Sequence, residues 1–193
     1  MRTQACWRRW VGSRDEVTPM RTEVRIAGTG GMGVVLAGVV LGHAAVVYGG
    51  MDAVQTQSYG SEARGTAAKS EVIISDEPIR YPKVIKADYS IFMSQKALDM
   101  YLSGAKDGSV IIIDPDLVQS NVAGDFEVVP VPAMRTADEL GARMTSNMIM
   151  LGAFAKKSGI ITLDALEAAL RDLVPEKTIE MNTRGLHAGA RLV

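Results

Sequence analysis

From residue 23 onward the chain alternates short apolar runs of strand length with longer stretches in which apolar residues return at helical spacing. An extended run over 23–27 enters the glycine-rich turn Gly28-Thr29-Gly30-Gly31-Met32-Gly33. A small-residue helical pattern then covers 31–48 and closes at Gly49-Gly50. Residues 52–57 read as a second strand and 58–66, polar and bounded by glycine, as a loop. Ala68 to Ser75, with Val72-Ile73-Ile74 buried, reads as a third strand. Glu77-Pro78 and Tyr81-Pro82 exclude regular helix through 76–82.

The same alternation continues. Asp88 to Met93 is a fourth strand ending at Ser94-Gln95, and 96–102 is a short helix. The unbroken β-branched run after Gly108 predicts a fully buried parallel strand over 109–114, and 126–131 a sixth. From Ala137, the residues Leu140, Met144, Met148, Leu151 and Phe154 fall at steps of four and three, which predicts one long amphipathic helix ended by Gly159. Thr162 is placed to cap a further helix with the stripe Leu163, Leu166, Leu170, Leu173. Pro175 stops it, and a last helix starts near Lys177. Strands alternating with helices, then helices alone, predict an α/β fold. It is a Rossmann-like three-layer sandwich with a mostly parallel sheet and a helical C-terminus.

Composition changes this picture little: 193 residues, 47% hydrophobic and 22% charged, suit one domain with a sizeable core. Charge refines it. Residues 1–21 carry +3 of formal charge and leave −4 on the rest, a body that gives no support to nucleic-acid binding. That basic stretch, with Trp7 and Trp10, lacks the apolar core of a secretory signal and reads as a disordered N-terminal extension to a single domain over 22–193. No apolar run reaches membrane-spanning length. Cys6 is the only cysteine, so neither a disulfide nor a zinc or iron–sulfur site is available to this chain, and a reducing, cytoplasmic setting is expected.

Candidate chemistry centres on the glycine turn. Gly28, Gly30 and Gly33 stand at GxGxxG spacing, which serves either a bound phosphate or close packing of the first helix. A dinucleotide site needs an acid at the end of the second strand, and Asp52 stands at its start. No GK[ST] follows the glycines either.

With the later motifs in view, the chain resembles the gamma subunit of the 2-oxoacid:ferredoxin oxidoreductases. The likeness runs from about Thr22 to His187. It rests on Gly28-x-Gly30-Gly31-x-Gly33, on Gln57-Ser58-Tyr59-Gly60-Ser61-Glu62-Ala63-Arg64-Gly65 and on Ile74-Ser75-Asp76-Glu77-Pro78-Ile79. Gln55-Thr56-Gln57-Ser58-Tyr59-Gly60 with Glu62-Ala63-Arg64-Gly65 is most similar to the 2-oxoglutarate branch. Two positions depart from the family. Met32 replaces a glutamine, which predicts loss of any hydrogen bond that side chain makes, and Thr66 replaces a second glycine after Arg64.

The resemblance implies an accessory subunit of a complex that joins a 2-oxoacid to coenzyme A, releases carbon dioxide and reduces ferredoxin. Thiamine diphosphate, magnesium and iron–sulfur clusters would belong to partner chains: alpha, beta and a ferredoxin-like subunit. No metal and no catalytic residue are assigned to this chain. Pyruvate, a branched-chain 2-oxoacid or indolepyruvate is the alternative substrate, and a purely structural subunit the alternative role. An NAD-dependent enzyme is the rival class.

The binding candidates are Gly28, Gly30, Gly31, Gly33, Tyr59, Glu62, Arg64 and Gly65, as a coenzyme A site or an interface loop. Arg64 suits a bidentate phosphate or carboxylate clamp, or an interface ion pair, for instance with Glu62. Tyr59 suits stacking or a subunit contact. Ser94, Gln95 and Asp114 end strands and would line the same crevice, or serve as caps and turn formers. His43 reads as a packing residue rather than a general base, His187 shows no companion ligands, and the methionines Met144, Met148 and Met150 read as core or interface rather than a cofactor box.

Overall fold

The computed structural model describes residues 20–59 and 67–193. The expected N-terminal extension falls, up to residue 19, outside the described residues. Six strands form one sheet: β1 (Arg21–Thr29), β2 (Asp52–Ser58), β3 (Ala67–Ser75), β4 (Ala87–Phe92), β5 (Ala105–Ile113) and β6 (Glu127–Pro130), in the spatial order β2-β3-β1-β4-β5-β6. β1, β4, β5 and β6 pair in parallel, while β3 runs antiparallel to both β1 and β2. The sheet is therefore mostly parallel, with one reversed strand, β3, next to the edge strand β2.

Helices cover the two faces unequally, and the strand residues are sorted accordingly. Val24, Ile26, Val72, Ile74, Ile91 and Ile112 point into the larger core. That core is shared with α1 (Val34–His43), α3 (Ala133–Glu139), α4 (Ser146–Ser158), α5 (Leu163–Leu173) and α6 (Glu176–Ala190). The other face packs Ala27, Ala67, Phe92, Ile111 and Ile113 under a single short helix, α2 (Gln95–Tyr101). Neighbouring strand residues alternate between the two cores, as the twofold period of a strand requires. The result is the expected three-layer sandwich.

Two predicted helices differ in detail. The first begins at Val34 and, after His43, finishes as a π-helical turn over Ala44–Tyr48. The long helix expected from Ala137 is two helices. α3 ends in a Schellman motif: Ala142 N–H bonds the Ala137 carbonyl at 2.8 Å and Gly141 N–H that of Asp138 at 3.0 Å, with Gly141 at φ 68°. A 3₁₀ turn over Arg143–Thr145 then leads into α4. Met144, taken as part of the apolar stripe, is 80% exposed, while Met148 and Met150 are buried. The periodicity continues across the break, but the left-handed glycine turns the chain between its two halves. Thr162 caps α5 by accepting from Ala165 N–H at 3.2 Å, and α6 opens directly after Pro175.

Candidate functional site

The glycine turn lies at the carboxyl end of β1, beside the carboxyl end of β4, where open α/β sheets place their ligands. Thr29 to Met32 form a tight turn closed by Met32 N–H on the Thr29 carbonyl at 3.2 Å. Gly31 takes the third turn position at φ 94°, the left-handed value a type II turn demands there. Gly28 serves packing. A Cβ on it would lie 3.1 Å from Val34 Cγ1, 3.2 Å from Met93 Cβ and 3.3 Å from Met32 Sδ, so the protein's own side chains fill that space.

Met32 makes a hydrogen bond of its own: the thioether folds back over the turn and accepts from Thr29 N–H at 3.3 Å. Sulfur is a weak acceptor, yet it is long and flexible enough to reach.

Gly33 ends the turn at φ 71°, ψ 21° and stands as the N-cap of α1 without a side-chain cap. Its carbonyl accepts twice, from Ala37 N–H at 3.0 Å and from the Asn147 side-chain amide at 3.0 Å. Between the pinned ends, Gly30 and Gly31 are exposed, and among the described residues their N–H groups have no acceptor. The ten-residue helix α1 begins directly after the turn, and its first N–H groups have no side-chain cap. This arrangement suits an anion.

The segment carrying Glu62, Arg64, Gly65 and Thr66 lies outside the described residues. Of its described anchors, Ala67 pairs with Thr29 beside the turn, and Ser58 pairs with Lys69 one strand further out. Tyr59 is 65% exposed.

The other crevice candidates are committed to structure. Ser94 caps α2, accepting from Ala97 N–H at 3.3 Å. Gln95 ties α2 to the segment after β5. Its oxygen accepts from Gln119 N–H at 2.9 Å and Ser120 N–H at 3.1 Å, and its nitrogen donates to Asp99 at 2.7 Å and Ser120 Oγ at 2.6 Å. Buried Asp114 accepts from Asp116 N–H at 3.0 Å and Met134 N–H at 2.8 Å. Burial raises its pKa above the ordinary carboxylate value, against the lowering effect of those two bonds. His43 bonds Asp172 at 2.9 Å and His187 bonds Glu167 at 2.5 Å, both far from the turn.

Three groupings were not visible in the sequence. Asn147 is one. A second is Arg25, Glu71 and Lys69 on the face under α2. Glu71 Oε1 accepts from Arg25 Nε at 2.8 Å and Nη2 at 2.7 Å, and Glu71 Oε2 pairs with Lys69 at 3.0 Å. Lys69 also lies 5.4 Å from the centre of the Tyr101 ring. Opposite charges midway along two apolar strands are the only signal the sequence held for it. The third is Tyr48, whose hydroxyl donates to Asp172 at 2.6 Å beside His43.

Topology bears on dinucleotide binding. β2 is an edge strand separated from β1 by β3, two strand spacings or about 9.5 Å away. Exposed Asp52 opens β2 at the end opposite the turn. Among the described residues, the ribose-binding acid of a dinucleotide unit has no counterpart.

The pattern of the pyruvate ferredoxin/flavodoxin oxidoreductase family matches residues 23–192. The 2-oxoglutarate synthase subunit KorC of Methanothermobacter marburgensis is 47% identical over 181 residues, covering 90% of this chain and 97% of the relative. A solved keto/oxoacid ferredoxin oxidoreductase gamma subunit from Geobacter sulfurreducens superimposes with a TM-score of 0.81 at 36% identity, over 89% of this chain and 95% of that one. The fold is also shared with 2-oxoglutarate:ferredoxin oxidoreductase from Magnetococcus marinus, solved with 2-oxoglutarate, coenzyme A and succinyl-CoA bound. There the TM-score is 0.79 at 22% identity, over 89% of this chain and 31% of that one.

Proposed function

This chain belongs to the pyruvate ferredoxin/flavodoxin oxidoreductase family, and we infer that it is the gamma subunit of a 2-oxoglutarate:ferredoxin oxidoreductase. The observation that carries this is 47% identity to a 2-oxoglutarate synthase subunit over 90% of this chain and 97% of that subunit. The complex converts 2-oxoglutarate and coenzyme A to succinyl-CoA and carbon dioxide, and two electrons leave to ferredoxin. With one cysteine, this chain stores none of those electrons. Alpha and beta subunits carrying thiamine diphosphate and magnesium, and a ferredoxin-like subunit carrying clusters, supply that chemistry in the cytoplasm. Among the described residues no helix is long and apolar enough to cross a membrane.

This subunit's own share is to present an anion site to coenzyme A. The exposed N–H groups of Gly30 and Gly31 and the uncapped start of α1 fit a phosphate of that molecule. Gly28 and Gly33 shape the turn, and the sequence motif assigns Tyr59, Glu62, Arg64 and Gly65 to the same coenzyme A role. No nucleophile or general base is contributed.

Reconstitution tests both levels. The chain alone, with 2-oxoglutarate, coenzyme A, thiamine diphosphate, magnesium and ferredoxin, reduces nothing, whereas the complete complex turns over. Reduction by the chain alone would overturn the accessory role. In the complex, Arg64→Ala raises the KM for coenzyme A about tenfold to hundredfold, the value of one charge-assisted contact, at unchanged KM for 2-oxoglutarate. Loss of partner chains on gel filtration would instead assign Arg64 to an interface.

A further inference from the structure

The glycine turn is held from inside the protein at two points, and one of them comes from the far side of the chain. At its entrance, Met32 Sδ and the Thr29 carbonyl fix the turn upon itself. At its exit, the only side chain bonded to it among the described residues is Asn147, from the first turn of α4 and 114 positions away in sequence. Asn147 is 3% exposed. Its amide oxygen accepts from Met148 N–H at 2.9 Å, one of the donors left free at the start of α4, and its nitrogen donates to the Gly33 carbonyl. The approach is so close that a Cβ on Gly33 would lie 2.4 Å from the Asn147 nitrogen. An aliphatic side chain at 147 would fill the same space without the cost of burying an amide. What asparagine adds is a donor aimed at one carbonyl.

That carbonyl matters because it belongs to the residue whose left-handed conformation sets how the turn meets α1. Gly33 has no side chain with which to fix itself, and glycine visits many conformations at little cost. Gly30 and Gly31, next to it, are the exposed residues whose N–H groups have no acceptor among the described residues. We propose that Asn147 is a positioning residue for the coenzyme A site: by gripping the Gly33 carbonyl it holds the Gly30 and Gly31 N–H groups in the arrangement that meets a phosphate. This rests on the assignment of coenzyme A to the turn, and adds that α4, within the helical layer, controls affinity for that substrate without touching it.

The test uses the reconstituted complex, with each substrate varied in turn. Asn147→Asp keeps the shape and the acceptor for Met148 N–H but replaces the donor with a negatively charged oxygen, so the uncharged Asn147→Ala is needed beside it. Asn147→Ala loses both. Gly30→Asp places a carboxylate where the phosphate would approach, and reports on the site itself. Both Asn147 variants are expected to raise the KM for coenzyme A about tenfold, the effect of removing one hydrogen bond that orders the site. The KM for 2-oxoglutarate and the kcat at saturating coenzyme A stay within twofold, and the complex elutes intact.

A lowered melting temperature at unchanged KM for coenzyme A would show a structural residue only and overturn the proposal. Failure of both Asn147 variants to assemble would overturn it equally, since the effect is confined to substrate affinity. If Gly30→Asp also leaves the KM for coenzyme A unmoved, the turn is not the coenzyme A site and the underlying assignment fails. If Gly30→Asp raises it and the Asn147 variants do not, the site stands and Asn147 is removed from it.

Discussion

Glu71 holds two cations on one carboxylate beneath α2, and the two are not equivalent. Arg25 is buried and, among the described residues, has besides Glu71 only a 3.3 Å bond to the Tyr101 carbonyl. Lys69 is partly exposed and reaches water. Glu71→Ala therefore strands a buried guanidinium and is expected to cost about 3–5 kcal/mol, the range for breaking a buried pair. Arg25→Ala leaves Glu71 paired with Lys69 and should cost clearly less. Urea unfolding of both variants gives the order, and equal losses would mean that Lys69 does not share the carboxylate in solution. The same local logic explains Asp114. Burial raises its pKa, but two backbone N–H groups occupy its oxygens, so it anchors the start of α3 instead of facing a substrate.

At the scale of elements, the end of the first helix is tied to α5 by one carboxylate. Tyr48, in the π-helical turn, and His43, at the end of α1, both bond the same oxygen of Asp172. The Tyr48 hydroxyl first, and His43 second, hold the Asp172 pKa below the ordinary value. A lowered folded pKa contributes stability that is present above the unfolded aspartate value, about 3.9, and is lost as pH falls through the folded one. Tyr48→Phe removes the larger cause. The Asp172 titration, followed by carboxyl-carbon NMR, is expected to move up toward the ordinary range, and the acid limb of the stability curve to shift with it. An unmoved titration would mean that the hydroxyl does not reach Asp172 in solution.

For the whole molecule, the reversed strand decides what the glycine turn can bind. Inserting β3 between β1 and β2 keeps the turn and the first helix of a nucleotide fold but removes the neighbouring strand that would hold a ribose. The protein is accordingly expected to give no saturable change in nicotinamide fluorescence when titrated with NADH. A micromolar Kd would contradict this account of the crevice. The helical layer stacked on one face leaves the turn at its edge, where α4 reaches it through Asn147.

Much of this architecture was legible residue by residue. The β-branched run Val110-Ile111-Ile112-Ile113 reads as a strand from its own residues, Thr162 starts one helix and Gly159 ends another by bonds and backbone angles confined to a few neighbours, and the glycine turn follows from its spacing. Such features are local, so the order of residues suffices to specify them, and the motifs around them sufficed for the family resemblance. Strand direction was another matter. Val72-Ile73-Ile74 reads the same whether β3 runs up or down, because a strand buried on both faces carries no polarity in its pattern. The stripe from Leu140 to Phe154 reads as one helix because a left-handed glycine costs periodicity nothing. Asn147 with Gly33, Arg25 with Glu71, and His43 with Asp172 are separated by 114, 46 and 129 positions. Only the packing of the helical layer and the sheet brings those partners within a hydrogen bond of each other, and a hydrogen bond acts over no greater distance.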